Sequence, residues 1–470
     1  MPLGAPVRRA TAAAAAALLA ATALLAAAGP AAADPDFALQ RIDGTALESP
    51  DRYGTAAQVA IVDYVEEGDG ASRVLLAQGG APTDALAASY LAGALDAPLL
   101  LTTTGALPAA TKEALSLLGA TRVTIIGGTA AVSPQVEAEL KALVPTVDRI
   151  SGPDRYATGR AVVLAAANPE LPVGEVDGTS AVLLVTGEDF PDALSAGPLA
   201  AGARLPLLLT RRDVLPDATR TTMQDIGLQG GRVVIVGGTA AVSPAVAAEV
   251  QALTGTAPVR LAGDSRYETS RLVADFAYDR LGANTQRVVL ARGDSFADAL
   301  AGGPHGGRVG GPLLLVQPTS LPAPATLLLQ QRCFDLLAGD VLGGIGAVSP
   351  GTVVGATFTV TEECTAPSVS ATSATTTFVR LTYSRPLDCS TVDAGGLDYY
   401  LDVVGGTLVL PDSFDASCSG SVVTLSRTGG TLLSPGDDVY VRRLPGSTLR
   451  GADGRYVPKD EVAYAVVPAA

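Results

Sequence analysis

Three Arg-Tyr pairs recur along the chain at similar spacing: Arg52-Tyr53, Arg155-Tyr156 and Arg266-Tyr267. A guanidinium presents a fixed fork of donors that suits phosphate or carboxylate, so each pair could recognise an anion. Each arginine could instead bridge to a carboxylate where two repeats meet, and three recurrent aspartates are available as partners: Asp84, Asp192 and Asp298. We favour this structural interpretation, because repeats that pack into a closed arrangement must fix their contacts.

Glycine turns form a second recurrent group, Gly127-Gly128-Thr129 and Gly237-Gly238-Thr239, with Gly343-Gly344 as the third copy. A Gly-rich turn that leads into a helix can present backbone N–H groups to an anion. The spacing matches neither a P-loop nor a dinucleotide-binding fingerprint, so we favour a tight strand-to-helix turn. Thr129 and Thr239 remain candidate ligand contacts that the third copy, with Ile345, cannot supply.

The residues needed for catalysis are scarce. The one histidine, His305, lies in a Gly-rich segment that we interpret as a loop, and a zinc site needs several such ligands. No G-x-S-x-G motif is present. The sequence does not exclude a pair of carboxylates for glycoside cleavage, but nothing in it singles out two of the 47 acidic residues. We therefore expect no catalytic residue, no metal and no cofactor.

These motifs belong to three copies of one unit, which we place at residues 38–147, 148–257 and 258–362. Within a copy, short apolar runs such as 180–187, 205–210 and 232–238 alternate with helical segments. This alternation is typical of a parallel sheet covered by helices on both faces. Each copy is therefore predicted to be an α/β unit of roughly 100 residues.

Residues 365–470 have a different pattern, in which Thr, Val and Phe alternate with other residues between Gly-, Pro- and Asp-rich turns. This pattern predicts an antiparallel β-sandwich. All four cysteines lie in the last third of the chain. We expect the pairs Cys333–Cys364 and Cys389–Cys418, because each lies within one domain and closes a loop of about 30 residues.

The first 33 residues have the layout of a secretory signal peptide: Arg8-Arg9, an uncharged Ala/Leu run over 11–28, and small residues at 31–33. An uncleaved membrane anchor is the less favoured alternative. We find no second membrane-spanning stretch and expect no stable membrane insertion after cleavage. The net charge of −15 argues against nucleic-acid binding, which needs a basic surface.

The combination of "DRY-x-T", "DAL(A/S)A", "PLLLT" and "GGTAAVSP" resembles the cell-wall-binding type 2 repeat family over about residues 38–362. The resemblance implies Rossmann- or toprim-like units in a pseudo-threefold arrangement. It also implies a surface protein of Gram-positive bacteria, held non-covalently by an anionic cell-wall polymer or a peptidoglycan-associated glycan. Residues 365–470 are similar to the Ig-like modules of bacterial S-layer proteins, which could contact other surface proteins.

We therefore expect an exported, non-enzymatic protein of the cell wall or cell surface. A secreted, amidase-like peptidoglycan hydrolase and a receptor for a soluble ligand are the alternatives. The acidic net charge opposes binding of a polyanion at long range, so local arginines or bridging divalent cations would be needed. The candidate arginines are Arg211-Arg212 and Arg442-Arg443.

Overall fold

The structure is a computed structural model. It describes residues 37–68, 70–166, 173–189, 191–333, 335–361, 369–375, 377–383, 387–392, 399–403, 415–426, 433–434, 438–443, 450–451 and 462–466. The expected signal peptide, residues 1–33, lies outside the described residues. No helix in the described part of the chain is long and apolar enough to cross a membrane.

The first repeat is built on a parallel sheet whose strands lie in the order Leu99–Thr102, Arg73–Gln78, Arg122–Ile126 and Thr146–Ile150. Its central strands are apolar and buried on both faces, as expected for a parallel sheet covered by helices. The covering helices are Arg52–Ala60, which continues as the π-helix Ile61–Glu66, and then Pro82–Leu95, Ala109–Leu117 and Pro134–Lys141.

The second repeat has the same plan, with parallel strands in the order Leu207–Thr210, Thr179–Thr186, Arg232–Val236 and Val259–Leu261. The short strand Glu175–Val176 pairs antiparallel with the start of Thr179–Thr186. The helices are Arg155–Ala166, Pro191–Leu194, Ala196–Gly202, Asp217–Asp225 and Pro244–Thr254.

The third repeat takes one strand from the beginning of the described chain. Its parallel strands lie in the order Leu313–Val316, Arg287–Arg292, Ala338–Leu342 and Ala38–Ile42, and a 3-10 helix, Gly44–Leu47, follows the last of these. The helices are Arg266–Arg280, Ala299–Val309, Ala323–Arg332 and Pro350–Thr361.

This strand exchange closes the three repeats into a ring. In every sheet the fourth strand comes from the segment that precedes an Arg-Tyr pair, so each sheet is joined to the repeat that contains that pair. For the third sheet the segment is Ala38–Ile42, which pairs in register from Ala38 with Ala338 to Ile42 with Leu342. The α/β fold and the ring of three parallel-sheet repeats are thereby confirmed.

Three central helices meet at the axis of the ring: Pro82–Leu95, Ala196–Gly202 and Ala299–Val309. At their crossing lie Ser89, Gly197 and Gly303. A Cβ atom added to Gly197 would lie 2.8 Å from Gly303 Cα, and one added to Gly303 would lie 2.5 Å from Ser89 Oγ. The helix backbones can therefore approach this closely only because side chains are small or missing at these positions.

The C-terminal part is antiparallel, as predicted. Its four-stranded sheet has the order Val369–Ala374, Phe378–Tyr383, Val422–Ser426 and Asp415–Ser419. A second sheet contains Tyr399–Val403, Asp438–Arg443 and Val462–Val466, and Leu387–Asp388 pairs with Arg450–Gly451. Tyr399 and Val441 of the second sheet share one core with residues of the first sheet, so the two sheets pack face to face.

The disulfide Cys389–Cys418 is present, as expected. Cys333 is also disulfide-bonded, whereas its expected partner, Cys364, lies outside the described residues.

The helix crossing generates a prediction for stability. Gly197→Ala should lower the free energy of unfolding by about 1–3 kcal/mol, because the added methyl group must push two helix backbones apart. Gly355→Ala is the matched control, since no atom lies within 4 Å of its added Cβ and alanine is a better helix former. Urea unfolding of both variants measures the difference. Equal stability of the two would contradict close packing at the axis.

Candidate binding clefts between the repeats

The three recurrent aspartates lie at the seams between repeats. Asp298 of the third repeat accepts a hydrogen bond from Thr55 Oγ1 of the first at 2.8 Å, and Asp192 of the second is hydrogen-bonded to Thr269 of the third. Asp84 of the first repeat faces the charge of Arg155 in the second. Each aspartate therefore faces the helix that begins with the Arg-Tyr pair of the next repeat.

Burial raises the pKa of all three carboxyls above the usual aspartate range. The neighbouring repeat opposes this shift through the positive charges of Arg155, Arg266 and Arg52 at the three seams. The recurrent aspartates and arginines are thus electrostatic neighbours across each seam.

The arginines do not bridge directly to these aspartates, which corrects our expectation. Arg52 Nη1 donates to the carbonyl of Gly79 at 2.6 Å, and Arg266 Nη1 donates to that of Gly293 at 2.9 Å. Arg155 makes the same bond to Gly187. Gly79, Gly187 and Gly293 directly follow the strands Arg73–Gln78, Thr179–Thr186 and Arg287–Arg292, each in the arginine's own repeat. Each guanidinium is therefore anchored within its own repeat. The aspartates instead contact a threonine hydroxyl of the next repeat: Asp298 contacts Thr55, and Asp192 contacts Thr269.

The tyrosines cover the same glycines. A Cβ atom on Gly79 would lie 2.8 Å from the Tyr53 ring, and Gly187 and Gly293 have the same relation to Tyr156 and Tyr267. The Arg-Tyr pair thus contacts this glycine twice: the arginine donates a hydrogen bond to its carbonyl, and the tyrosine ring packs against its Cα.

The Gly-Gly turns are strand-to-helix turns that pack against the aspartates. The first glycine has a left-handed φ in each repeat: +115° at Gly127, +119° at Gly237 and +93° at Gly343. Its amide donates to the end of the fourth strand, as from Gly127 to Ile150 O at 2.9 Å, so this N–H is already paired. Thr129 and Thr239 are exposed at the tips of these turns, and the equivalent Ile345 of the third repeat is 69% exposed.

A further arginine in each repeat was missed by the sequence reasoning. Arg41, Arg149 and Arg260, on the three fourth strands, donate to the carbonyls of Gly343, Gly127 and Gly237 at 2.6, 2.7 and 2.8 Å. They tie each fourth strand to the Gly-Gly turn beside it. The recurrence of "RIDG", "RISG" and "RLAG" before each Arg-Tyr motif is the signal that could have identified them.

A cleft of about 360 Å³ opens at the seam between the second and third repeats. It lies beyond the carboxyl ends of the strands, where parallel sheets commonly bind ligands. Its polar lining includes Thr186, Glu188, Asp192, Arg212 and Arg266. The Arg212 side chain is 59% exposed, whereas the neighbouring Arg211 stacks on the Tyr156 ring at 5.4 Å. The cleft therefore offers hydroxyl, carboxylate and guanidinium groups to a polar ligand.

His305 corrects a second expectation, because it lies within the helix Ala299–Val309 and not in a loop. Its side chain is 1% exposed and lies outside this cleft. In the described residues, no group of three or more histidine, cysteine, aspartate or glutamate side chains could hold a metal ion.

The Gly-Gly turns generate a paired prediction. Gly127→Ala should destabilise the protein by about 2 kcal/mol or more, because its Cβ would lie 2.6 Å from Asp84 Oδ2 and its φ is left-handed. Gly128→Ala should change stability by no more than about 0.5 kcal/mol, since nothing lies within 4 Å of its Cβ. Thermal unfolding of the two variants tests this, and a larger loss for Gly128→Ala would refute the packing of the turn against Asp84.

Curated relatives share the repeat region. The chain is 29% identical over 314 residues to N-acetylmuramoyl-L-alanine amidase LytC of Bacillus subtilis, covering 67% of this chain and 57% of the relative. It is also 29% identical over 311 residues to the amidase enhancer of the same organism, covering 66% and 40%. The chain thus matches only about half of the length of these relatives.

Two solved structures have the same fold. Cwp6 from Clostridium difficile aligns with a TM-score of 0.61 at 20% identity, covering 72% of this chain and 50% of Cwp6. Cwp8 from Clostridium difficile aligns with a TM-score of 0.58 at 22% identity, covering 69% and 52%.

The family model for cell wall binding domain 2 matches three segments, residues 47–137, 149–247 and 260–353. These segments make up more than half of the chain and coincide with the three copies of the repeated motifs. The chain therefore belongs to the cell wall binding domain 2 family.

Proposed function

We propose that this protein attaches non-covalently to a polymer of the Gram-positive cell wall through its three repeats. The observation that carries the proposal is the family match in all three repeats, together with a polar cleft at the carboxyl ends of the strands. Related polar groups recur at the three seams, so one extended polymer could engage more than one of them. Several weak contacts on one chain give an avidity well above that of a single contact.

The charge of the cleft limits which part of the polymer it can bind. Four of the six charged side chains that line it are acidic, namely Glu188, Asp189, Asp192 and Asp264, against Arg212 and Arg266. Arg266 is bonded to Gly293, whereas Arg212 is more than half exposed and, among the described residues, has only a long ion pair, 3.9 Å from Nε to Asp213 Oδ2, so Arg212 is the lining cation more accessible to an anionic group. Sugar hydroxyls can bond to the carboxylates, and a bridging divalent cation would offset the remaining negative charge.

The proposed role is binding without catalysis. In its support, the sole histidine is buried in a helix, and the family match covers binding repeats. The rival function is cleavage of the wall, because one relative is named an amidase. A receptor for a soluble ligand is a third candidate, and the polar cleft is the feature that favours it.

The remaining segments complete the proposal. We infer that residues 1–33 are removed as a signal peptide during export, that Cys333 pairs with Cys364, and that residues 38–147, 148–257 and 258–362 are the three repeats. Residues 365–470 would form an Ig-like module available to other surface proteins. The strand Asp438–Arg443 of this module contains Arg442 and Arg443.

Binding to purified cell walls tests the proposed cleft. Arg212→Ala should weaken binding about tenfold, the effect of losing one charged hydrogen bond of about 1.4 kcal/mol. Arg73→Ala is the matched control, because Arg73 is exposed at the amino end of its strand, away from the cleft. Co-sedimentation with walls over a range of protein concentrations gives both affinities. Equal binding by both variants and the native chain would exclude Arg212, and no binding by the native chain would refute attachment.

Incubation with purified peptidoglycan separates binding from cleavage. We expect no release of amino groups or reducing ends during a long incubation, in an assay where an authentic wall amidase releases amino groups. Intact protein should instead be recovered from the wall by high salt or by a chelator. Turnover that rises with protein concentration would replace the proposed function with the hydrolase.

A further inference from the structure

The seam between the third and first repeats contains a buried cluster of charged groups. His305 Nδ1 lies 2.8 Å from Asp63 Oδ1 of the first repeat, and its Nε2 lies 3.2 Å from Asp340 Oδ2 of the third. All three side chains are buried, with 6% or less exposed. The imidazole thus connects the π-helix Ile61–Glu66 to the strand Ala338–Leu342, next to the strand that closes the ring.

The equivalents of His305 and Asp63 at the other two seams are apolar, and those of Asp340 are the uncharged Thr124 and Val234. Counting from the recurrent aspartate, His305 corresponds to Leu91 and Leu199. Counting from the Arg-Tyr pair, Asp63 corresponds to Ala166 and Ala277. All four apolar residues are buried. The repeat architecture therefore does not need charged residues at these positions. Of the three seams, only the one between the third and first repeats, here called the closing seam, has them.

The closing seam is also the one at which the two repeats are not consecutive in the chain. The first and second repeats are joined through Ile150 to Arg155, and the second and third through Leu261 to Arg266. The third repeat is joined to the first only by non-covalent contacts, including the pairing of Ala38–Ile42 with Ala338–Leu342. Separation here leaves the covalent chain and the other two seams intact.

Other charged groups surround the cluster. Arg287 Nη2 lies 3.6 Å from Asp340 Oδ2, on the strand beside it. Arg308, one turn beyond His305, donates from Nε to the backbone carbonyl of Asp63 at 2.9 Å, pairs with Glu67 and Asp96, and stacks on the Tyr64 ring at 4.1 Å. These arginines stay charged throughout the pH range in which a histidine titrates, so His305 is the group whose charge can change.

A protonated imidazole fits this site better than a neutral one. Imidazolium has two N–H donors and can bond both carboxylates, whereas neutral imidazole has one donor and leaves a lone pair facing the other carboxylate. Burial alone would lower the pKa of His305, but the hydrogen bonds and charges of Asp340 and Asp63 outweigh it and raise the pKa to about 9.

We propose that the imidazolium of His305, by bonding both Asp63 and Asp340, holds the third repeat against the first, and that loss of its proton opens the ring at this seam alone. The pKa of His305 in the folded protein lies above its unfolded value of about 6.5, so the protonated imidazole stabilises the seam fully below about pH 6.5. It is lost as the pH rises through about 9. This inference does not depend on the proposed attachment to the wall.

The single histidine allows a direct test of its charge. The full chain, purified without a polyhistidine tag and labelled with ¹⁵N-histidine, gives NMR signals from one imidazole. Both ring nitrogens should be protonated at pH 7.5 and should titrate near pH 9. A ring that is neutral at pH 7.5 would overturn the proposal.

Hydrogen exchange tests the opening itself. Between pH 7 and pH 9.5, after correction for intrinsic exchange, protection should fall at least tenfold in Ala38–Ile42 and Ala299–Val309. It should change little in Thr146–Ile150, the equivalent strand of the first sheet. Uniform loss of protection, or no loss at the closing seam, would refute opening at one place.

The control variant gives all three positions the buried apolar residues of the seam between the second and third repeats, Leu199, Ala277 and Val234: His305→Leu with Asp63→Ala and Asp340→Val. Its closing seam should keep its protection from pH 7 to pH 9.5, since the titrating group is gone. If this variant shows the same alkaline loss as the native chain, His305 is not the cause. If the variant does not fold, the NMR titration and the exchange of the native chain decide the question.

Discussion

The close approach of the three central helices is the constraint on which the ring depends. At Ser89, Gly197 and Gly303 the helices cross with almost no side-chain volume between their backbones. Larger residues would move the helices outward and carry the sheets with them. The seams would then widen, because every sheet is fixed to its central helix by a packed core. The small residues of the "DALAAS", "DALSAG" and "DALAGG" motifs are therefore first of all a packing requirement.

The same motifs place a carboxylate at each seam. The recurrent aspartate lies near the start of the central helix, between the Gly-Gly turn of its own repeat and the first helix of the next. Its position explains why the first glycine of the turn has no side chain, and why Thr55 and Thr269, two residues after an Arg-Tyr pair, contact the carboxylate. The recurrent polar residues at the seams are thus largely used in contacts within the protein. In the proposed attachment to the wall, ligand recognition falls to the residues around them, such as Arg212, which differ between repeats.

This division separates what holds the ring together from what could give it specificity. Small residues at the axis and a Gly-Gly turn recur in all three copies, whereas residues that line the cleft of the second repeat do not recur: Thr186 and Glu188 stand where the first repeat has Gln78 and Gly80. A repeat protein with one scaffold can therefore present different side chains at equivalent places in its repeats. The closing seam extends this principle to the interior, where His305 and Asp63 replace an apolar pair without changing the fold.

The sequence by itself determined the three repeats, their α/β character, the antiparallel C-terminal part and the recurrence of the polar motifs, because these follow from local periodicity and spacing. It did not determine that Ala38–Ile42 completes the third sheet. Which open sheet edge accepts a strand depends on where the ring brings the ends of the repeats. Local composition also suggested a loop at His305, yet the glycines there lie in a helix, where they allow contact with Gly197 and Ala201. The partner of each arginine was likewise decided by the tertiary structure, because hydrogen bonds depend on distances and directions that residue types alone do not specify.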